Sequence, residues 1–107
     1  MKITYFGHSA FLIDELLIDP FIRTTTICPA KFDDIKCKII CVTHDHHDHL
    51  GDTFEIAKNN NATVVGISDI VNKAEENKLK TVKTIITTKN ITKNFPSLIY
   101  VVEIEAI

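Results

Sequence analysis

Residues 44 to 49 read His44-Asp45-His46-His47-Asp48-His49, and they follow directly on the apolar run Ile39-Ile40-Cys41-Val42. A short β-branched run of this kind reads as a buried strand. A few residues on, Asp52 and Glu55 have capping-box spacing, with Phe54, Ile56 and Ala57 as apolar helix positions. A donor cluster caught between a strand end and a helix start is how open α/β sheets present a site at their carboxyl edge. The chain is therefore expected to be α/β, with this cluster at the site.

The flanking pattern agrees. Ile3, Tyr5, Ala10 to Ile13 and Leu16-Leu17-Ile18 form a small antiparallel meander, with Gly7-His8-Ser9 as its first turn. Pro20 and Pro29 bracket a long loop containing Thr24-Thr25-Thr26, of the kind that often covers a site. Asn59-Asn60-Asn61 can end the first helix in a left-handed turn, and Thr63-Val64-Val65-Gly66 is a second buried strand. Ser68 is placed to cap a helix whose Ile70, Val71 and Ala74 share a face. Residues 81–88 and the alternating stretch 98–107, joined by a polar link with Asn94 and Pro96, read as strands that together form one edge hairpin. At 107 residues and 45% apolar content, one modest core and a single domain over 1–107 are expected.

A formal net charge of −2 gives no electrostatic reason for nucleic acid or an anionic membrane as partner. The six lysines from Lys73 to Lys93 read as a solvated face. No apolar segment approaches the roughly 18 residues of a membrane span, and Met1-Lys2-Ile3 opens in a strand-like pattern, so a cytoplasmic protein is expected. Cys28, Cys37 and Cys41 are irregularly spaced without a C-x-x-C pair and are expected to be free thiols.

On an extended segment alternate side chains project the same way, so His44 and His46 can share one metal while Asp48 and His49 turn to a second position. Asp45 and His47 then face away. Imidazole suits zinc, nickel, iron or copper, with zinc favoured, and the carboxylate admits manganese.

Three motifs in order, Gly7-His8-Ser9-Ala10-Phe11-Leu12-Ile13, Leu17-Ile18-Asp19-Pro20-Phe21 and Val42-Thr43-His44-x-His46-x-Asp48-His49-Leu50-Gly51-Asp52, resemble the N-terminal half of the metallo-β-lactamase superfamily. The similarity is to its branch of uncharacterised metal-dependent hydrolases related to ascorbate-6-phosphate lactonase, and it covers about residues 1–80. Residues 81–107 form a divergent strand-like tail. The resemblance implies a partial αββα sandwich, a truncated domain whose mixed sheet is flanked by helices. It implies about two zinc ions, with His44 and His46 on the first and Asp48 and His49 on the second. Asp19 would support the metal loop through hydrogen bonds, and His8 would line the site.

By the same resemblance the reaction is hydrolysis, metal-activated hydroxide attacking an ester, lactone or phosphoester small molecule, with Asp48 orienting the water. The family's second half normally adds two histidines and a bridging Asp. No histidine follows His49 here, and Asp69 lies at the start of the second helix. The isolated chain is therefore expected to show little turnover. A complementing second-half polypeptide would restore the site; a homodimer would repeat the same motif. The alternative is an inactive truncated or frame-shifted remnant that binds metal weakly or acts as an interaction module. Half a sandwich is also expected to expose Ile39, Cys41, Val64 or their neighbours, which favours a dimer or partner complex.

Overall fold

The structure, a computed structural model, describes residues 1–23 and 32–83. Strands β1 (Ile3–Gly7), β2 (Ala10–Ile13) and β3 (Leu16–Ile18) form the expected antiparallel meander, with the first turn at His8 and Ser9. Strands β4 (Ile39–Cys41), β5 (Thr63–Gly66) and β6 (Lys80–Lys83) then add in parallel, giving one mixed sheet in the order β1-β2-β3-β4-β5-β6. A 3-10 turn at Phe32–Asp34 precedes β4. Three helices complete the described chain: α1 (His47–Leu50), α2 (Thr53–Asn60) and α3 (Ser68–Glu76). This is the α/β, partial metallo-β-lactamase type of sheet that the sequence implies. The part of the expected edge hairpin beyond Lys83, the loop at 24–31 and Cys28 lie outside the described residues.

The pleat sorts the apolar residues to two faces. Leu17, Ile40 and Val64 are aligned across β3, β4 and β5, and all three are fully buried against Ile56, Ala57, Ile70 and Ala74 of the helices. Each aliphatic side chain so buried contributes about 2 kcal/mol of transfer free energy. On the opposite face, Ile18, Cys41, Val65 and Val82 are aligned from β3 to β6, with Leu16 and Ile39 beside them. The expected exposure of this sheet is not found. Val64 turns to the helices, Cys41 is only 9% exposed, Val65 is fully buried and Ile39 is half-buried. Exposed apolar side chains gather instead at the start of the meander, at Ile3, Tyr5 and Phe11.

Local chemistry explains the C-terminal end of α2. Asn61 closes α2 in the left-handed region (φ 52°), where an Asn is tolerated, and its amide donates to the Ala57 carbonyl. Two caps differ from expectation. Asp52 precedes α2 but makes no capping bond, because its carboxylate is used elsewhere, and Ser68 is already inside α3, which starts from an uncapped Ile67. Cys37 and Cys41 are buried, and burial pushes the Cys37 thiol up to about 11, so it stays protonated at neutral pH. Among the described residues no helix is long and apolar enough to cross a membrane.

Candidate metal centre

Two strand ends and one turn converge on the centre. Strand β3 delivers Asp19, β4 delivers Thr43 and His44, and the β1–β2 turn carries His8. Asp19 continues the parallel ladder, its amide donating to the Cys41 carbonyl at 3.0 Å. Its side chain lies under the cluster, and the residue is 3% exposed. One carboxylate oxygen accepts the Thr43 amide at 2.7 Å; the other accepts the Thr43 hydroxyl at 2.7 Å and sits 2.9 Å from His49 Nδ1.

This network fixes which ring nitrogens are available. An ionised carboxylate only accepts, so His49 Nδ1 carries the proton that it donates to Asp19. The Thr43 hydroxyl proton is committed to Asp19, so Thr43 Oγ1, 2.8 Å from His44 Nδ1, accepts from that nitrogen. In both imidazoles the Nε2 lone pair is left free. A ligating histidine is normally oriented in this way by a carboxylate behind it.

His44 is the middle ring of the cluster, with centroid distances of 4.6 Å to His46 and 4.0 Å to His49. His46 is extended (φ −104°, ψ 145°) and exposed, immediately before α1. Asp48 and His49 lie in α1, so the second pair of candidate ligands is helical while His44, in a bend, and His46 precede the helix. Asp48 Oδ2 lies 3.8 Å from His49 Nε2 and 3.4 Å from His8 Nε2. His8, Asp48 and His49 each place a donor atom within 4.8 Å of the others. Partial desolvation raises the Asp48 pKa, but its backbone hydrogen bond and the charges of His49, His8 and His47 outweigh this and leave it below the ordinary carboxylate value. The buried carboxylate, imidazole Nε2 atoms not engaged by Asp19 or Thr43 and the Asp48 carboxylate together fit a divalent transition metal.

The remaining cluster residues turn outward, as expected. Asp45 pairs with Lys73 Nζ of α3 at 2.8 Å, and that hydrogen bond raises the exposed lysine's pKa. His47 stands edge-on to Phe21 at 5.5 Å, and Phe21 meets the His8 ring on its other side at 5.6 Å.

Sequence reasoning missed the clamp that holds residues 19–23 beside α2. The Asp52 carboxylate accepts the amides of Ile22 at 3.1 Å and Arg23 at 2.8 Å, while the Asp52 amide donates to the Pro20 carbonyl at 2.9 Å. Glu55, freed from any capping role, grips the Arg23 guanidinium through two bonds of 3.0 and 2.8 Å. Thr43, the relay between Asp19 and His44, was missed as well. Its position next to His44 and its hydroxyl were the available signals. Asp52→Ala is expected to cost about 1–3 kcal/mol in thermal melts by leaving two amides without their acceptor. Asp52→Asn should recover part of that loss through its amide oxygen.

The model of the metallo-beta-lactamase superfamily matches residues 3–104. A UPF0173 metal-dependent hydrolase of Archaeoglobus fulgidus is 48% identical over 73 residues, 65% of this chain and 32% of that protein. Another, from Methanosphaera stadtmanae, is 46% identical over 77 residues, 67% of this chain and 33% of that protein. The solved structure of Igni18, a metallo hydrolase from the archaeon Ignicoccus hospitalis, superimposes with a TM-score of 0.70 at 30% identity, covering 79% of this chain and 40% of that one. The chain thus spans about a third of the length of the curated relatives it matches.

Proposed function

The chain belongs to the metallo-beta-lactamase superfamily, and from that premise we propose that its centre binds divalent metal and serves hydrolysis of an ester, lactone or phosphoester. The similar proteins are named metal-dependent hydrolases, which supports the reaction class. In this reading His44 and His46 hold one ion, and Asp48 and His49 hold another, zinc in preference to manganese. The observation that carries it is the buried Asp19, whose hydrogen bonds orient two imidazoles with Nε2 free.

When bound, divalent metal provides hydroxide near neutral pH and polarises the carbonyl or phosphoryl oxygen under attack. The chain's own residues do the positioning. Asp48, ionised at neutral pH, accepts a hydrogen bond from the attacking water and aims it. Asp19 stays behind the imidazoles, holding each ring and its tautomer while charge changes in front of them. His46, exposed at the solvent side, leaves room for substrate beside the cluster.

A complete site in this reading draws on donors beyond these four, brought by a complementing polypeptide in preference to a second copy. The alternative, an inactive remnant that holds metal weakly or acts as an interaction module, gains support from the single-sheet origin of every described donor. Elemental analysis of untagged protein dialysed without chelator separates these readings. About two ions per chain, falling in His46→Ala, is the expected result, and turnover of chromogenic ester, lactone and phosphodiester substrates is then assayed. Metal without turnover favours the remnant, and a metal content near zero in the wild type sinks the metal-centre reading.

A further inference from the structure

We propose that His8 is a direct metal ligand, completing with Asp48 and His49 a three-donor site drawn wholly from this chain. The proposal rests on the reading that Asp48 and His49 hold metal, and it adds a ligand from an element remote in sequence.

Spacing is the first argument. Tetrahedral zinc with bonds of about 2.0–2.1 Å has ligand atoms about 3.4 Å apart. His8 Nε2 lies 3.4 Å from Asp48 Oδ2, and His49 Nε2 lies 3.8 Å from the same oxygen. These separations exceed those of a normal N–H···O hydrogen bond and suit atoms that share an ion. All three donors fall within 4.8 Å of one another, so closure around an ion needs a movement of at most about an ångström and a half, from exposed or half-buried side chains.

The backbone is the second argument. His8 occupies the left-handed region at φ 51°, directly after Gly7 at φ 99°, in the turn between β1 and β2. Histidine, like Asn and Asp, enters this region more readily than most side chains, so the tight turn accepts an imidazole here. The turn is fixed by the Tyr5 hydroxyl, which donates to the His8 carbonyl at 2.8 Å. The His8 ring stands edge-on to Phe21 at 5.6 Å and to His49 at 5.3 Å, both contacts directing it toward Asp48.

Chemistry is the third. Two neutral imidazoles and one carboxylate form the three-ligand set usual at open zinc sites, which leave a further position for water or substrate. The competing role for His8 is an ion pair with Asp48, which predicts weaker binding in the variants but no change in the number of imidazoles on the ion.

The test uses His8→Asn, since Asn tolerates a positive φ, together with His8→Ala. Zinc affinity is measured by chelator competition, and imidazole ligands are counted by X-ray absorption at the zinc edge. We expect about 100-fold weaker binding of one ion, one imidazole fewer and an unchanged circular dichroism spectrum. Nitrogen-15 NMR of the wild-type imidazoles keeps the test decisive where a variant misfolds: zinc must shift the His8 Nε2 resonance. An unchanged imidazole count in the variants, whatever their affinity, or a silent His8 resonance, overturns the assignment while the metal centre stands. Absence of zinc binding in the wild type removes both.

Discussion

Asp19→Asn is expected to weaken metal binding by about 10- to 100-fold while leaving the fold intact. Asn suits the positive φ of 43° at this position, so the backbone has no reason to move. The loss comes from hydrogen bonding. The carboxylate accepts three donors, the Thr43 amide, the Thr43 hydroxyl and His49 Nδ1–H. A carboxamide keeps one accepting oxygen and turns an NH2 group toward the others, so at least one imidazole loses the partner that sets its tautomer. Asp19→Ala removes every acceptor and adds about 1–3 kcal/mol of instability from stranded donors. Chelator competition and thermal melting measure the two effects separately. An Asp19→Asn protein with wild-type affinity would show that the buried carboxylate does not govern the imidazoles.

The largest loss of stability is expected from Gly51→Ala, at about 3–5 kcal/mol or outright failure to fold. Gly51 has φ 45° and ψ −122°, a conformation that L side chains hardly populate. A Cβ there would lie 2.6 Å from Phe21 Cα, 2.6 Å from the Pro20 oxygen and 2.8 Å from the Phe21 nitrogen. All three are backbone atoms, so no side-chain rotation relieves the overlap. The chain at Pro20 and Phe21 must withdraw, and Asp19 and the Asp52 clamp move with it. A fall in melting temperature of roughly 15 °C or more is expected, with metal affinity falling in parallel. A variant that melts within a few degrees of wild type would mean that this close approach is not needed.

The elements legible in the sequence are those set by short-range rules. Alternation and apolar runs marked β1 to β5 near their observed places, and Asn61 announced the end of α2 by its tolerance of the left-handed region. The donor cluster was legible because its residues are consecutive. What was not legible depends on partners far along the chain. Asp52 and Glu55 satisfy the local capping pattern, but the amides of residues 22 and 23 and the Arg23 guanidinium, about 30 positions earlier, take both carboxylates. His8 read as a turn residue because its approach to Asp48 exists only once the meander and α1 are side by side. Val64 and Val65 were indistinguishable in a continuous apolar strand; only the paired register assigns them to opposite faces.

The parallel pairing of β3 with β4 has a kinetic side. Leu17 meets Ile40 and Ile18 meets Cys41 across more than 20 intervening residues, and that contact alone brings Asp19 under Thr43. Closing such a separation is a slow, non-local event compared with forming the β1–β2 hairpin. Until it happens His49 has no acceptor behind it and the Thr43 hydroxyl beside His44 has no carboxylate to fix it, so the nascent chain holds loose imidazoles instead of an ordered set of ligands. Metal then selects the molecules in which the two strands have already zipped together, and at 100 times the dissociation constant it deepens that state by about 2.7 kcal/mol. The ion's arrival records that this non-local contact has been made.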